Sequence, residues 1–187
     1  PLRDLCGAGG FSRAVLKGLE DKGLVRRRQG SLQELARPAR DSPTWPALSA
    51  AQATAVEALG GAAPGAAFLL WGVTGAGKTE VYLRAAAQAL EAGQSSLLLT
   101  PEIGLIPQLL DRARERFGER VLEFHSGLSE GARVASWRRC LEAGPVVVVG
   151  TRSAIFLPMA RWGLIVLDEE HDTSYKQDSP MPCYHAR

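Results

Sequence analysis

Residues 68–83 read FLLWGVTGAGKTEVYL, and this stretch limits the possible folds more than any other. A short apolar run enters a glycine-rich turn, and the turn enters a helical pattern. Gly72, Gly75, Gly77, Lys78 and Thr79 satisfy G-x-x-x-x-G-K-[ST], with Ala76 between the last two glycines. Glycines let successive backbone N–H groups converge on an anion, and the N-terminus of the following helix favours negative charge. In such a loop Lys78 reaches the β- and γ-phosphates of a nucleotide, and the Thr79 hydroxyl ligates Mg²⁺. The motif needs a strand before it and a helix after it, so the chain is expected to be an α/β protein.

The rest of the chain repeats that grammar. Five apolar runs of strand length occur at 67–71, 97–100, 121–124, 146–149 and 164–167, with helical patterns between them that include 80–91 and 107–117. Continuous apolar runs, as opposed to alternating ones, suit strands covered on both faces. The expectation is a parallel sheet with helices on both sides and right-handed crossovers. Trp71 and Trp162 lie beside these runs and read as core. Each run ends in a polar cluster: GVTGAGKT, PEIGL, HSGL, GTRS and DEEH. Ligands of open α/β sheets bind outside the carboxyl ends of the strands, so the clusters mark one candidate site.

LIVLDEEH complements the glycine loop. A buried strand ending in acids puts Asp168 on the metal side and Glu169 where it can orient or deprotonate water. Gln52, about twenty residues before Gly72, has an amide able to donate to and accept from an adenine edge. Thr151, Arg152 and Ser153 form a donor cluster suited to backbone phosphates, although a capping turn with one exposed arginine reads equally from them. His125 and His171 have no neighbouring His or Cys at a ligand spacing, so neither is read as a metal ligand.

Composition narrows the partners. The 187 residues are 45% hydrophobic and 22% charged, ordinary for a globular chain, and the net charge of +2 is too small for a bulk electrostatic case for nucleic acid. Cys6, Cys140 and Cys183 form no C-x-x-C pair and read as reduced thiols of a cytosolic protein. No apolar run approaches the roughly 18 residues of a membrane span, and PLRDLC has no signal-peptide pattern. A first residue of Pro and a last segment PCYHAR are expected of a fragment.

Residues 31–47 carry three prolines without periodicity and read as a linker. Before them, Phe11, Val15, Leu16 and Leu19 make a helical stripe closed by Gly23, with a short helix near residues 2–6 and a basic strand at 25–29. That order resembles part of a winged helix-turn-helix over residues 1–30. A small helical module with Arg26, Arg27 and Arg28 as a solvated edge fits the same residues.

Taken in order, Gln52, GVTGAGKTEVYL, TPEIGL, HSGLSEGAR, GTRSAIF and DEEHDTSYKQ…YHAR resemble the PriA family of superfamily 2 DNA helicases, the primosomal proteins that restart stalled replication forks. The likeness covers residues 48–187 and implies a RecA-like first motor lobe ending in an aromatic-rich loop, preceded by a winged-helix domain. It implies ATP and Mg²⁺ as ligands, 3′-to-5′ movement on single-stranded DNA, and forked DNA, primosome proteins and single-stranded-DNA-binding protein as partners. It implies a bacterial cytoplasmic, nucleoid-associated protein, with no membrane partner. By the same resemblance, Gln52 contacts adenine, Lys78 and Thr79 hold phosphate and Mg²⁺, and Asp168 and Glu169 serve metal and water. His171 couples the nucleotide to the DNA track, and Tyr175, Lys176, Tyr184 and His185 contact single-stranded DNA by stacking or phosphate binding. Here DSPMPC dilutes the family's aromatic loop. The family's second lobe, with its arginine finger and zinc module, lies outside these residues. A RecG-like or RNA motor, a scaffold with a vestigial site, and an N-terminal DNA-binding domain are the competing readings.

Overall fold

The computed structural model describes residues 13–22, 45–142, 144–177 and 184–186. By contacts the chain divides into a unit of residues 1–35 and a unit of residues 36–187. In the first, helix α1 spans Arg13–Asp21, within the expected helical stripe, with Val15 exposed. Phe11, Gly23, the helix expected near residues 2–6 and the strand expected at 25–29 lie outside the described residues. So does most of the linker expected at 31–47.

Among its described residues the second unit holds four further α-helices, α2 (Ala50–Gly60), α3 (Lys78–Glu91), α4 (Ile106–Phe117) and α5 (Glu130–Glu142). Its strands are β1 (Ser95–Leu99), β2 (Val121–Phe124), β3 (Val147–Gly150) and β4 (Trp162–Leu167). A two-residue strand pair, β5 (Lys176–Gln177) and β6 (Tyr184–His185), follows.

Each helix follows from its local sequence. Ser49 and Gln52 close a capping box on α2, each side chain satisfying the other residue's backbone N–H. Pro107 stands in the first turn of α4, where its missing N–H costs nothing, and Gly118 ends that helix at φ 56°. Ile106, Leu109, Leu110, Ala113 and Phe117 then make one buried stripe at helical spacing.

The four larger strands form one parallel sheet in the order β2-β3-β1-β4. Every residue of β1 and β3 is buried, as their continuous apolarity requires. Alternate side chains feed two cores. Leu98, Val147 and Val149 join Tyr82, Leu83 and Ala86 of α3 and Leu109, Leu110 and Ala113 of α4 on one face. Leu97, Leu99 and Val148 join Leu122, Phe124, Cys140, Leu157 and Tyr175 on the other. The Gly150 Cα lies so close to β2 that an added Cβ would fall inside contact distance of the Phe124 carbonyl oxygen.

Three expectations need correction. The run at 67–71 makes no strand: Phe68, Leu69 and Trp71 are 54%, 76% and 89% exposed, and Leu70 alone of them packs on the first core. Apolarity marks a segment that could be buried, but a strand exists only with ladder partners. Among the described residues the sheet has two edge strands, β2 and β4, and the segment pairs with neither. Trp71 is therefore not core, whereas Trp162 is half-buried against the second cluster. The expected linker also ends early, because Trp45 already packs on the lobe. Its ring meets Phe117 edge-on at 6.2 Å and lies 4.5 Å from the guanidinium groups of both Arg84 and Arg116.

Gly150→Ala is expected to destabilise the protein by about 1–3 kcal/mol through overpacking against β2. Urea unfolding checks this, the midpoint falling while the slope is unchanged.

Candidate nucleotide site at the carboxyl edge of the sheet

In a parallel sheet all carboxyl ends face the same way, so Thr100, His125, Thr151 and Asp168 follow their strands along one edge. The glycine loop reaches that edge through α3, which packs on β1 and β4. Gly75 and Gly77 adopt φ +81° and +77°, and Gly77 stands at the N-cap of α3 with no side chain capping the helix. A loop of this shape, ending in an uncapped helix, presents N–H groups to an anion. Lys78 Nζ donates to the Gly72 carbonyl at 2.8 Å and the Val73 carbonyl at 3.4 Å, a cation folded over the cradle. These groups fit a nucleotide's phosphates: a flexible cation, a glycine cradle and, at the strand end, acids that suit a hard divalent ion.

Gln52 is engaged at both ends of its amide. Nε2 donates to the carbonyls of Ala76 at 3.3 Å and Gly77 at 3.2 Å, and Oε1 accepts from Ser49 N. The structure thus brings Gln52 to the loop itself. The signal was present in the sequence as S-x-x-Q, a capping box ahead of an apolar run. Beside Thr79 a cavity of about 380 Å³ is bordered by Pro46, Glu80, Arg112, Glu115 and Arg116. Glu80 there accepts from both Arg84 and Arg116.

Asp168 is held at three points. Its N–H donates to the Leu99 carbonyl at 2.9 Å, its carbonyl accepts from the Tyr175 hydroxyl at 2.6 Å, and its Oδ1 accepts from the Tyr82 hydroxyl at 3.1 Å. Burial, then the Asp168 carboxylate, push the Tyr82 phenol far above its ordinary range, so it remains a donor. Sequence reasoning missed Tyr82, because a tyrosine on the buried face of a helix looks like ordinary core. The next acid, Glu169, takes a left-handed φ of 49°, a conformation that costs a non-glycine residue energy and recurs at functional sites. Its half-exposed carboxylate lies 3.9 Å from Nδ1 of the exposed His171.

The segment after the acids departs from expectation in one respect. Tyr175, read above as a DNA contact, is fully buried in the second core and cannot stack on a base. Its hydroxyl sits between the Asp168 carbonyl and the Leu99 carbonyl, the latter at 3.0 Å, joining the ends of β4 and β1. Burial is also the leading cause that pushes its phenol far upward. Arg152 Nη1 donates to the carbonyls of Ser174 at 2.7 Å and Lys176 at 3.1 Å, which ties it to this segment. The other expected contacts come together on the β5–β6 ribbon, where Lys176 stands opposite His185 and both are exposed. Tyr184 is half-buried, its ring edge-on to Phe156 at 4.9 Å.

His125 is buried: Nδ1 accepts from Gly127 N at 3.1 Å, so the proton lies on Nε2, 3.0 Å from Glu123 Oε1. No group of three metal-ligating residues occurs among the described residues. No helix there is long and apolar enough to cross a membrane.

A glycine cradle and a strand-end acid joined across one edge of a parallel sheet are parts that suit a nucleotide-binding α/β domain. The DEAD/DEAH box helicase family matches residues 49–181, and the chain belongs to that family. Among curated relatives, the replication restart protein PriA of Synechocystis sp. is 46% identical over 187 residues, covering 100% of this chain and 22% of its own length. That of Bacillus subtilis is 41% identical over 195 residues, covering 100% of this chain and 24% of its own. The PriA of Chlamydia pneumoniae is 49% identical over 119 residues, 64% of this chain and 16% of its own. The chain thus spans less than a quarter of the length of these relatives.

Tyr175→Phe is expected to cost about 1–3 kcal/mol of stability by removing the donor between two buried carbonyls. Affinity for single-stranded DNA should stay as it was. Melting and DNA titration of the same preparation check both halves, and weakened DNA binding with an unaltered melting temperature would point instead to a contact between the hydroxyl and DNA.

Proposed function

We propose that the chain is the first motor lobe of an ATP-dependent DNA helicase that restarts stalled replication forks, moving 3′ to 5′ on single-stranded DNA. The observation that carries this reading is the Tyr82–Asp168 hydrogen bond. It ties the strand-end acid to the helix whose first turn bears Lys78 and Thr79. What favours restart over other nucleic-acid motors is the likeness to proteins named for it, which extends through the segment after the acids. Forked DNA and primosome proteins are then the partners of the whole protein. Its zinc module and second lobe belong to the remaining length, and a winged-helix piece to residues 1–30.

In this reading Lys78 leaves the carbonyls of Gly72 and Val73 and pairs with phosphate oxygens, while Gly75–Thr79 supply backbone N–H groups. Thr79 and Asp168 would hold Mg²⁺, which would supply charge neutralisation at the phosphates. Glu169, half-exposed beside His171, accepts the proton of the attacking water or fixes its direction. His171 passes the state of Glu169 toward the ribbon, where Lys176, Tyr184 and His185 meet DNA. Arg152 takes part by anchoring that segment. Gln52 meets adenine only by exchanging its bonds to Ala76 and Gly77. Until then it steadies the loop.

Lys78→Ala in the full-length protein is expected to lower DNA-stimulated ATP hydrolysis by at least about 100-fold, since it removes a preorganised charge aimed at the phosphates. An unchanged rate would favour a scaffold with a vestigial site. Unwinding of DNA but not RNA duplexes separates the proposal from an RNA motor.

Residues 1–187 alone should hydrolyse ATP about 10³- to 10⁵-fold more slowly than the whole protein, the usual effect of lacking an arginine finger. A single-turnover assay on the purified segment checks this, and a comparable rate would refute the assignment of that finger to a second lobe.

A further inference from the structure

Tyr82 belongs to neither the phosphate motif nor the acid motif, yet it is the side chain that joins them. It follows Lys78 by four residues and Thr79 by three, so it lies one turn along α3 on their side of the helix. Its ring is 8% exposed and packs in the core formed by α3, α4 and the sheet. From there the hydroxyl donates to Asp168 Oδ1 at 3.1 Å, across 86 residues of sequence.

Two constraints make this contact directional. A carboxylate at a half-exposed strand end has several staggered χ1 positions open to it. A buried phenol has few alternatives to the acceptor it already has, so a carboxylate that swung away would leave the hydroxyl unsatisfied. The backbone of Asp168 is pinned separately, at its N–H by Leu99 and at its carbonyl by Tyr175. Strand and helix are both rigid, so the remaining freedom is the side-chain rotamer, and Tyr82 removes it.

We infer that Tyr82 is a positioning residue for the metal-side acid: it occupies Oδ1 of Asp168 and thereby presents Oδ2 to a divalent cation held with nucleotide on α3. Groups that orient a metal ligand without touching the metal typically change metal affinity or activity by about 10- to 100-fold when removed. The inference rests on the nucleotide-site reading above, and its test separates the two.

The experiment uses the full-length protein, Tyr82→Phe and ADP, with Mn²⁺ as the spectroscopic probe. Electron paramagnetic resonance measures Mn²⁺ affinity in the ADP complex. ADP affinity without metal and the melting temperature are measured alongside. Tyr82→Phe should weaken Mn²⁺ by about 10-fold and leave metal-free ADP binding unchanged. On an Asp168→Asn background it should have no further effect, because Tyr82 acts through that carboxylate. Unchanged Mn²⁺ affinity in Tyr82→Phe overturns the inference, and so does equal weakening with and without Asp168. Loss of ADP and Mn²⁺ binding together marks general disruption of the lobe and overturns it too. A wild-type protein that binds neither ADP nor Mn²⁺ removes the nucleotide-site reading itself, and this one with it.

Discussion

The central position of β1 is the constraint from which the site follows. Leu97, Leu98 and Leu99 are at most 1% exposed, and they point alternately into two separate cores. A strand so covered needs a neighbour on each edge and a layer on each face. β3 and β4 supply the edges, both parallel to it, and parallel pairing brings Thr100, Thr151 and Asp168 out together. The chemistry is thus located by burial. Polar residues gather where three apolar strands end.

Burial also explains why two tyrosines, and not charged pairs, link the parts. An ion pair in this interior would have to repay the desolvation of two charges. A phenol brings a large apolar ring and a single donor, which suits a core that must hold polar backbone at a strand end. Tyr175 ties the ends of β1 and β4 by their carbonyls, and Tyr82 ties the acid side chain to α3. Arg152 extends the same connection outward to Ser174 and Lys176. The glycine loop and the β5–β6 ribbon are therefore joined by short steps through the sheet edge.

The sequence made the sheet's interior legible because continuous apolar runs have few other uses. The runs at 121–124, 146–149 and 164–167 became β2, β3 and β4 with their ends shifted by no more than two residues. The glycine loop was legible because its spacing serves a backbone geometry. The run at 67–71 satisfied the same apolar criterion but made no strand, since pairing depends on residues far away and periodicity records only the local chain. Tyr175 misled for a related reason. An aromatic residue in a basic, polar segment has the same composition whether it faces a base or the core, and only packing decides. Gln52 was read for its amide's capacity to recognise a base, whereas Ser49 three residues earlier already gave that amide a local use.

Among the described residues β4 is an edge strand, and this has a consequence for handling the molecule. The backbone groups along that edge have no strand beside them among the described residues, and they share the lobe with Phe68, Leu69 and Trp71, side chains that water solvates poorly. Such a surface is adhesive toward other extended chains, and a second molecule in the same vessel offers an identical one. Concentrated preparations of this lobe by itself would then be held back by self-association before any weakness of its two cores came into play.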